Sequence, residues 1–382
     1  FPDKMSYKPK LLIVADTYYP KVDGTLKFIE EFLKRSQDSF DTSLLVPYYG
    51  IKKGKNVTYL DVSRIWKISG YSNLKLTFKN FRKLKKAIQE ADLVFIQGPA
   101  LISYLSIYYA GRYGKKTIFY THTLSWELFE KFFPAIFKKL FYRLIKKMSI
   151  ALYNRCNEIL VPYHELKENL QKEGITTEIN TARLGVDIEV FTPPPDKRLS
   201  KNKLHIDAEK KVIGYVGRIS KEKNTHLLLE AFRKLEEQEN ILLLMVGDGT
   251  KKQVKEFKKI KNCKVTGFVP DVHEYLKAMD IFVMPSLTET TSLATLEAMA
   301  CGLPVIATKV GYIKNYLVKN HNGLFFPRNS SSVLSLKISQ LLKDKKLREE
   351  LGQNARKTVT YGFSWERSIN KIKRLLLKQY YG

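Results

Sequence analysis

The chain has 382 residues, enough for two domains with cores of their own, and its 44% hydrophobic and 12% aromatic content is that of a folded protein, which excludes a disordered one. The formal net charge of +28 is concentrated, with 20 Lys/Arg against 5 Asp/Glu between residues 51 and 150, so nucleic acid or an anionic membrane must be weighed beside a merely solvated surface. Three scattered cysteines (Cys156, Cys263, Cys301) without a C-x-x-C argue against structural zinc and disulfides and for a reducing cytosol; no apolar run reaches the length of a membrane span.

No signal peptide is visible, and Phe1 to Lys4 ahead of Met5 read as a cloning remnant, so the natural start is expected near Met5. From there apolar runs alternate with helical patterns. Strands are expected at 10–15, 42–46, 57–60, 92–96, 116–120 and 158–161, and helices at 25–35, 76–90, 101–113 and 133–152. Short apolar runs separated by amphipathic helices indicate βαβ units and a parallel sheet. The segment 185–196 breaks this rhythm with three consecutive prolines, Pro193 to Pro195, a stiff linker. The alternation then restarts with strands at 212–216, 241–246, 264–268, 281–284 and 304–307, and the chain ends in a basic amphipathic helix, 365–380. The expected fold class is therefore α/β with two doubly wound, Rossmann-like domains, 5–188 and 189–363. Both carboxyl edges would open into a cleft between the domains.

The stretch from Pro285 to Ala307 carries the most chemistry. Two carboxylates, Glu289 and Glu297, flank a Thr/Ser-rich turn that becomes an Ala-rich helix, followed by Gly302, Pro304 and a strand. Such a turn places free N–H groups of a helix N-terminus at the carboxyl edge of a parallel sheet, where anions bind. Were the rise all helical, Glu297 would lie about 12 Å beyond Glu289. That spacing suits a ligand with hydroxyls at both ends and phosphate between them, a nucleotide-sugar.

The E-x7-E spacing, preceded by Pro285-Ser286 and followed by Glu297-Ala-Met-Ala-x-Gly-x-Pro-Val305, resembles the signature of the family-4 retaining glycosyltransferases of GT-B fold. Similar segments run through nearly the whole chain. The resemblance implies two facing Rossmann-like domains, with the helix opened by Phe363-Ser-Trp-Glu366 (364–382) packing back on the first domain. Glu289 would hold the donor sugar and Glu297 the ribose hydroxyls. The N–H groups of Thr291, Ser292 and Leu293 would face the diphosphate, and the backbone at Val269 the base. Arg218 and Lys223, after Gly217, would neutralise the leaving phosphate, a role elsewhere taken by a metal. Gly24 matches the first glycine loop, and His122 the cleft histidine that helps hold donor sugar and acceptor. The implied reaction is hexosyl transfer with retention from a UDP- or GDP-hexose, without metal or further cofactor. Thr291 departs from the glycine usual there, and a β-branched residue disfavours a positive φ.

Between Phe133 and Leu152 apolar residues recur at helical spacing while Lys138, Lys139, Arg143, Lys146 and Lys147 occupy the other face. With Phe133, Phe137 and Phe141 as aromatic bulk, this helix is expected either to pack on its sheet or to lie on anionic lipid. The segment 121–129 ahead of it is similar to the lipid-glycosylating branch of the family. That implies a membrane-lipid acceptor, glycolipid biosynthesis, and a peripheral enzyme at the cytoplasmic face. Alternatives are a soluble glycan synthase or a nucleotide-sugar epimerase on the same fold. A polyanion- or nucleic-acid-binding protein has charge alone in its favour, because no RNP-type, helix-turn-helix or zinc pattern occurs. There is also no G-x-G-x-x-G, no P-loop and no D-x-D.

Overall fold

Lys10–Ala15 forms β1, with every residue after Lys10 buried. Such an apolar run has no polar face to offer water, so it is covered on both sides, as a central parallel strand is. The computed structural model describes residues 8–382 except 22, 69–70, 99, 123, 125, 127–134 and 236–239, and the backbone alone at 64–68, 71–73 and 135–141. By its contacts the chain divides into two units. One runs to Arg183 and includes Glu366–Gly382; the other is Leu184–Trp365.

The first unit holds β1, β2 (Asp41–Tyr48), β3 (Val57–Ile68), β4 (Tyr71–Leu74), β5 (Leu93–Gln97), β6 (Lys116–Tyr120), β7 (Glu158–Val161) and β8 (Ile179–Thr181). They form one sheet in the order β4-β3-β2-β1-β5-β6-β7-β8, parallel except for the β3–β4 pair. The antiparallel β3–β4 hairpin and the three-residue β8 are additions to the expected set. The terminal helix Trp365–Tyr381 belongs to this unit from Glu366 onward. It buries Ile369, Ile372 and Leu376, spaced to share one helical face, while Lys373 Nζ lies 2.8 Å from Asp38 Oδ1.

The second unit holds β9 (Lys211–Val216), β10 (Ile241–Val246), β11 (Cys263–Val265), β12 (Ile281–Met284), β13 (Val305–Thr308) and β14 (Gly323–Phe326). Its sheet is all parallel, ordered β11-β10-β9-β12-β13-β14. In each sheet the strand order reverses once, between β1 and β5 and between β9 and β12. Loops leaving the two strands at such a point diverge and open a crevice at the carboxyl edge, the usual ligand position in this architecture.

Candidate active site

The loops that follow β9 and β12 flank the second unit's crevice. Gly217 follows β9 with φ +144, and Gly247 follows β10 with φ +143. A Cβ on Gly247 would lie 2.0 Å from the Gly217 carbonyl oxygen, so the two backbones touch where only glycine fits. Bridges from Ile219 to Gly249 and from Gly247 to Gly267 tie in the loops after β10 and β11. Val269, two residues past Gly267, is half-buried on this edge. The Leu287 N–H donates to the Glu222 carbonyl at 3.0 Å and joins the loop after β9 to the one after β12.

Across that junction Lys223 Nζ sits 2.7 Å from Glu289 Oε1, and Ser286 Oγ donates to the same oxygen at 2.7 Å. Glu289 is 8% exposed and Lys223 18%, so the pair is largely withdrawn from water. Truncating one partner of such a pair leaves the other charge uncompensated. Arg218 behaves differently. Its guanidinium is 69% exposed and only loosely paired with Glu222 at 3.5 Å, while its carbonyl is fixed by the Tyr215 hydroxyl at 2.7 Å.

The helix after Glu289 is Leu293–Ala300. Residues 285–292 are therefore not helical, and the expected 12 Å rise from Glu289 to Glu297 does not apply. The turn's left-handed residue is Ser292 (φ 58), not Thr291, so the β-branch at Thr291 meets no backbone penalty. Thr291 is instead buried, its carbonyl accepting from the Tyr316 hydroxyl at 2.8 Å and its own hydroxyl unpartnered among the described residues. Gly311 approaches so closely that a Cβ there would lie 1.8 Å from the Glu289 carbonyl oxygen. Ser292 supplies no side-chain cap; its hydroxyl pairs with that of Thr295 at 2.8 Å. The first-turn N–H groups, Leu293 among them, thus have no capping side chain, the arrangement that receives an anion. Glu297 lies within the helix at 4% exposure. The helix stops at Gly302 (φ +72), whose N–H reaches the Met299 carbonyl at 3.0 Å, and Arg356 donates to the last-turn carbonyl of Ala300 at 2.7 Å.

The first unit's residues lie apart in sequence and on their own sheet. Gly24 begins the helix Gly24–Ser36, but Asp23 caps it, its carboxylate accepting from the N–H groups of Thr25 and Leu26, each at 3.0 Å. That carboxylate makes the helix N-terminus unfavourable for a phosphate. His122 follows β6 with its ring 4.5 Å from that of Tyr120. Burial holds its imidazole down at about 4, so it is neutral at neutral pH. Its Nδ1 is buried without a partner among the described residues.

Two family profiles match this chain: Glycosyltransferase Family 4 over residues 22–190 and Glycosyl transferases group 1 over 196–358. The chain is a glycosyltransferase of this family. An uncharacterized glycosyltransferase of Methanocaldococcus jannaschii is 23% identical over 95% of the chain and 97% of its own length. The UDP-Gal:alpha-D-GlcNAc-diphosphoundecaprenol alpha-1,3-galactosyltransferase of Escherichia coli is 30% identical over 63% of the chain and 65% of its own. Apart from the M. jannaschii protein, the chain spans about half the length of the curated relatives it matches first. HepE of Anabaena, solved in complex with UDP, superposes with a TM-score of 0.75 at 17% identity, over 97% of the chain and all of HepE. The glycosyltransferase thus has the two-domain GT-B fold.

The glycosyltransferase's basic helix is Ala135–Tyr153. Phe133 and the side chains of Phe137, Lys138, Lys139 and Phe141 lie outside the described residues. Tyr142, Ile145, Ile150 and Leu152 pack on the core. The expected apolar stripe does not pack as one face, however, because Leu144 and Met148 are 59% and 45% exposed beside exposed Arg143 and Lys147. Lys146 is already paired: it forms an ion pair with Glu173 and lies 6.0 Å above the Trp126 ring. No helix among the described residues is long and apolar enough to cross a membrane. A second basic region went unread in the sequence. Lys52, Lys79, Lys83 and Lys86, with Asp61 and Glu90, line a groove of 570 Å³ with Tyr48 and Tyr59; Leu76 and Phe78, just ahead of Lys79 in the sequence, are exposed by 62% and 85%.

Proposed function

We propose that this chain is a retaining glycosyltransferase that moves a hexose from a nucleoside diphosphate sugar to a hydroxyl of a membrane lipid, without a metal, at an anionic membrane surface. The observation that carries this reading is the Lys223–Glu289–Ser286 cluster beside the uncapped N-terminus of Leu293–Ala300. The diphosphate fits at that N-terminus, opposite Arg218 and Lys223, with Glu289 toward the sugar hydroxyls and Glu297 toward the ribose. As the bond from the anomeric carbon to the phosphate oxygen breaks, the two basic residues stabilise the charge developing on the diphosphate. The acceptor hydroxyl enters on the same face, forms the new C–O bond, and passes its proton to the departing phosphate oxygen. A phosphate competes with Glu289 for Lys223, so donor binding would release a carboxylate oxygen for the sugar. UDP is the favoured nucleotide, since HepE was solved with UDP and the E. coli relative is named for UDP-Gal.

The lipid acceptor is supported by Leu144 and Met148 standing exposed among Arg143 and Lys147, and by the lysine groove beside Leu76 and Phe78. Apolar side chains interleaved with cations suit the boundary of an anionic bilayer. The E. coli relative is named for a polyprenol-linked substrate. The test is to incubate the protein and radiolabelled UDP-glucose, UDP-galactose or GDP-mannose with vesicles carrying diacylglycerol or phosphatidylinositol. Label appearing in the organic phase with the donor's anomeric configuration is expected. Label that reaches only water-soluble glycans, or a new nucleotide-sugar formed without any acceptor, would overturn the lipid reading.

A further inference from the structure

The turn that carries Glu289 is held from behind by a segment that the donor reading does not use. After β13 the chain passes Gly311 (φ +51) and enters the short helix Ile313–Tyr316. This segment meets three successive carbonyls of the turn. A Cβ on Gly311 would lie 1.8 Å from the Glu289 carbonyl oxygen, so the two backbones are in contact. The Tyr312 N–H donates to the Thr290 carbonyl at 2.8 Å, and the Tyr316 hydroxyl donates to the Thr291 carbonyl at 2.8 Å.

In a trans peptide the C=O and the N–H of the next residue point in opposite directions. Drawing the carbonyls of Thr290 and Thr291 toward this segment therefore turns the N–H groups of Thr291 and Ser292 away from it. Neither of these N–H groups, nor that of Leu293, donates to another group among the described residues. The Thr290 anchor comes from backbone and is open to any residue at 312, whereas the Thr291 anchor depends on one side chain.

That side chain is fixed in place. Tyr316 is 3% exposed, and its ring lies edge-on to those of Tyr312 and Phe363, with centroids 5.8 and 5.4 Å away. Burial, with Glu289 nearby, pushes its phenol well above the ordinary value, so it stays a donor. Thr295 hydrogen-bonds the same phenol and pairs with the Ser292 hydroxyl at 2.8 Å, which ties the first turn of Leu293–Ala300 to Tyr316 as well.

We propose that Tyr316 is a positioning residue for the donor diphosphate: by holding the Thr291 carbonyl it aims the Ser292 N–H, beside that of Leu293, at the phosphate oxygens. This rests on the reading of that helix start as the diphosphate site, and adds a residue that acts on it only through the backbone. No spacing in the sequence marks Tyr316, which lies 25 residues beyond Thr291.

Binding of UDP and of uridine to the full chain, by calorimetry and by saturation-transfer NMR, would compare the parent with Tyr316→Phe, which keeps the ring and removes the hydroxyl. UDP affinity should fall about tenfold, the effect of one misdirected hydrogen bond. Uridine, which has no phosphate, should bind both proteins alike. Unchanged UDP affinity, or an equal loss for uridine, would overturn the proposal. Should Tyr316→Phe fail to fold, amide NMR of the parent decides: inorganic pyrophosphate should shift the Ser292 and Leu293 signals, and signals that stay in place would overturn it. If UDP does not bind the parent, the donor reading itself fails; if UDP binds parent and variant equally, only the positioning role fails.

Discussion

The two sheets of this glycosyltransferase begin with the same device and end differently. Asp92, ahead of β5, accepts from the Lys10 N–H at 2.8 Å, and Asp280, ahead of β12, accepts from the Val212 N–H at 2.9 Å. In the second unit the carboxylate is buried and gains Lys201 at 2.9 Å and Lys197 at 3.5 Å. That unit continues in the same manner to its carboxyl edge, where Glu289, Lys223 and Ser286 satisfy one another. Among the described residues, the first unit leaves the Gln97 side chain and His122 Nδ1 without partners at the corresponding edge. A site for a donor carrying a diphosphate can be built in advance from charges that compensate each other.

Removing a partner from the second unit should therefore be costly. The largest effect is expected for Lys201→Met, which strands part of the Asp280 charge: about 3–5 kcal/mol lost in urea unfolding of that unit. Burial pushes the Asp280 carboxyl up, but Lys197 and Lys201 outweigh it and hold it below the ordinary value. Its contribution is then complete above the unfolded carboxyl value of about 3.9 and is lost as pH falls through the lower folded value. Acid titration of the unfolding midpoint should show that loss in the parent and a much smaller one in Asp280→Asn. A parent curve flat below the unfolded carboxyl value would contradict it.

Lys223→Ala comes next. It should cost about 2–4 kcal/mol of transition-state stabilisation, a loss of roughly thirty- to a thousandfold in kcat. Steady-state rates near the parent's would remove Lys223 from the chemistry. On the first unit, Arg143→Ala with Lys147→Ala should weaken sedimentation with phosphatidylserine vesicles about thirtyfold, on the order of 1 kcal/mol per basic residue. Lys146→Ala should change it less, because Glu173 already holds that cation. The smallest effect is Thr291→Val. It removes a buried hydroxyl without a partner and should shift stability by no more than about 1 kcal/mol, toward the stable side. A larger loss would mean that the hydroxyl has a partner in solution.

Much of this was legible in the sequence. Buried parallel strands are apolar throughout, so β1, β10 and β12 stand out as runs, and the helices between them show their period. β8, β14 and β4 do not stand out, because three or four residues are too few to display a pattern. Glu289 and Lys223 were legible through the E-x7-E and Gly217-Arg218 segments. Their contact was not, since 66 residues separate them and only the strand order joins their loops. The glycine usual at position 291 points to a positive φ near there, and the turn places it at Ser292. Lys146 looked like its neighbours Arg143 and Lys147, and only the position of Glu173 distinguishes it. Gln97 was invisible because its meaning is the absence of a partner, which no spacing encodes.

The second unit's compensated charges suit a prebuilt nucleotide-sugar site, which nucleotide binding tests. The most direct measurement is a thermal-shift panel of UDP, GDP, ADP and CDP on the parent and on Arg218→Ala. A nucleotide at a hundred times its dissociation constant stabilises by about 2.7 kcal/mol, a shift of several degrees. The account predicts that shift for UDP in the parent and its loss or strong reduction in Arg218→Ala. No shift for any nucleotide, or an equal shift in the variant, would contradict it.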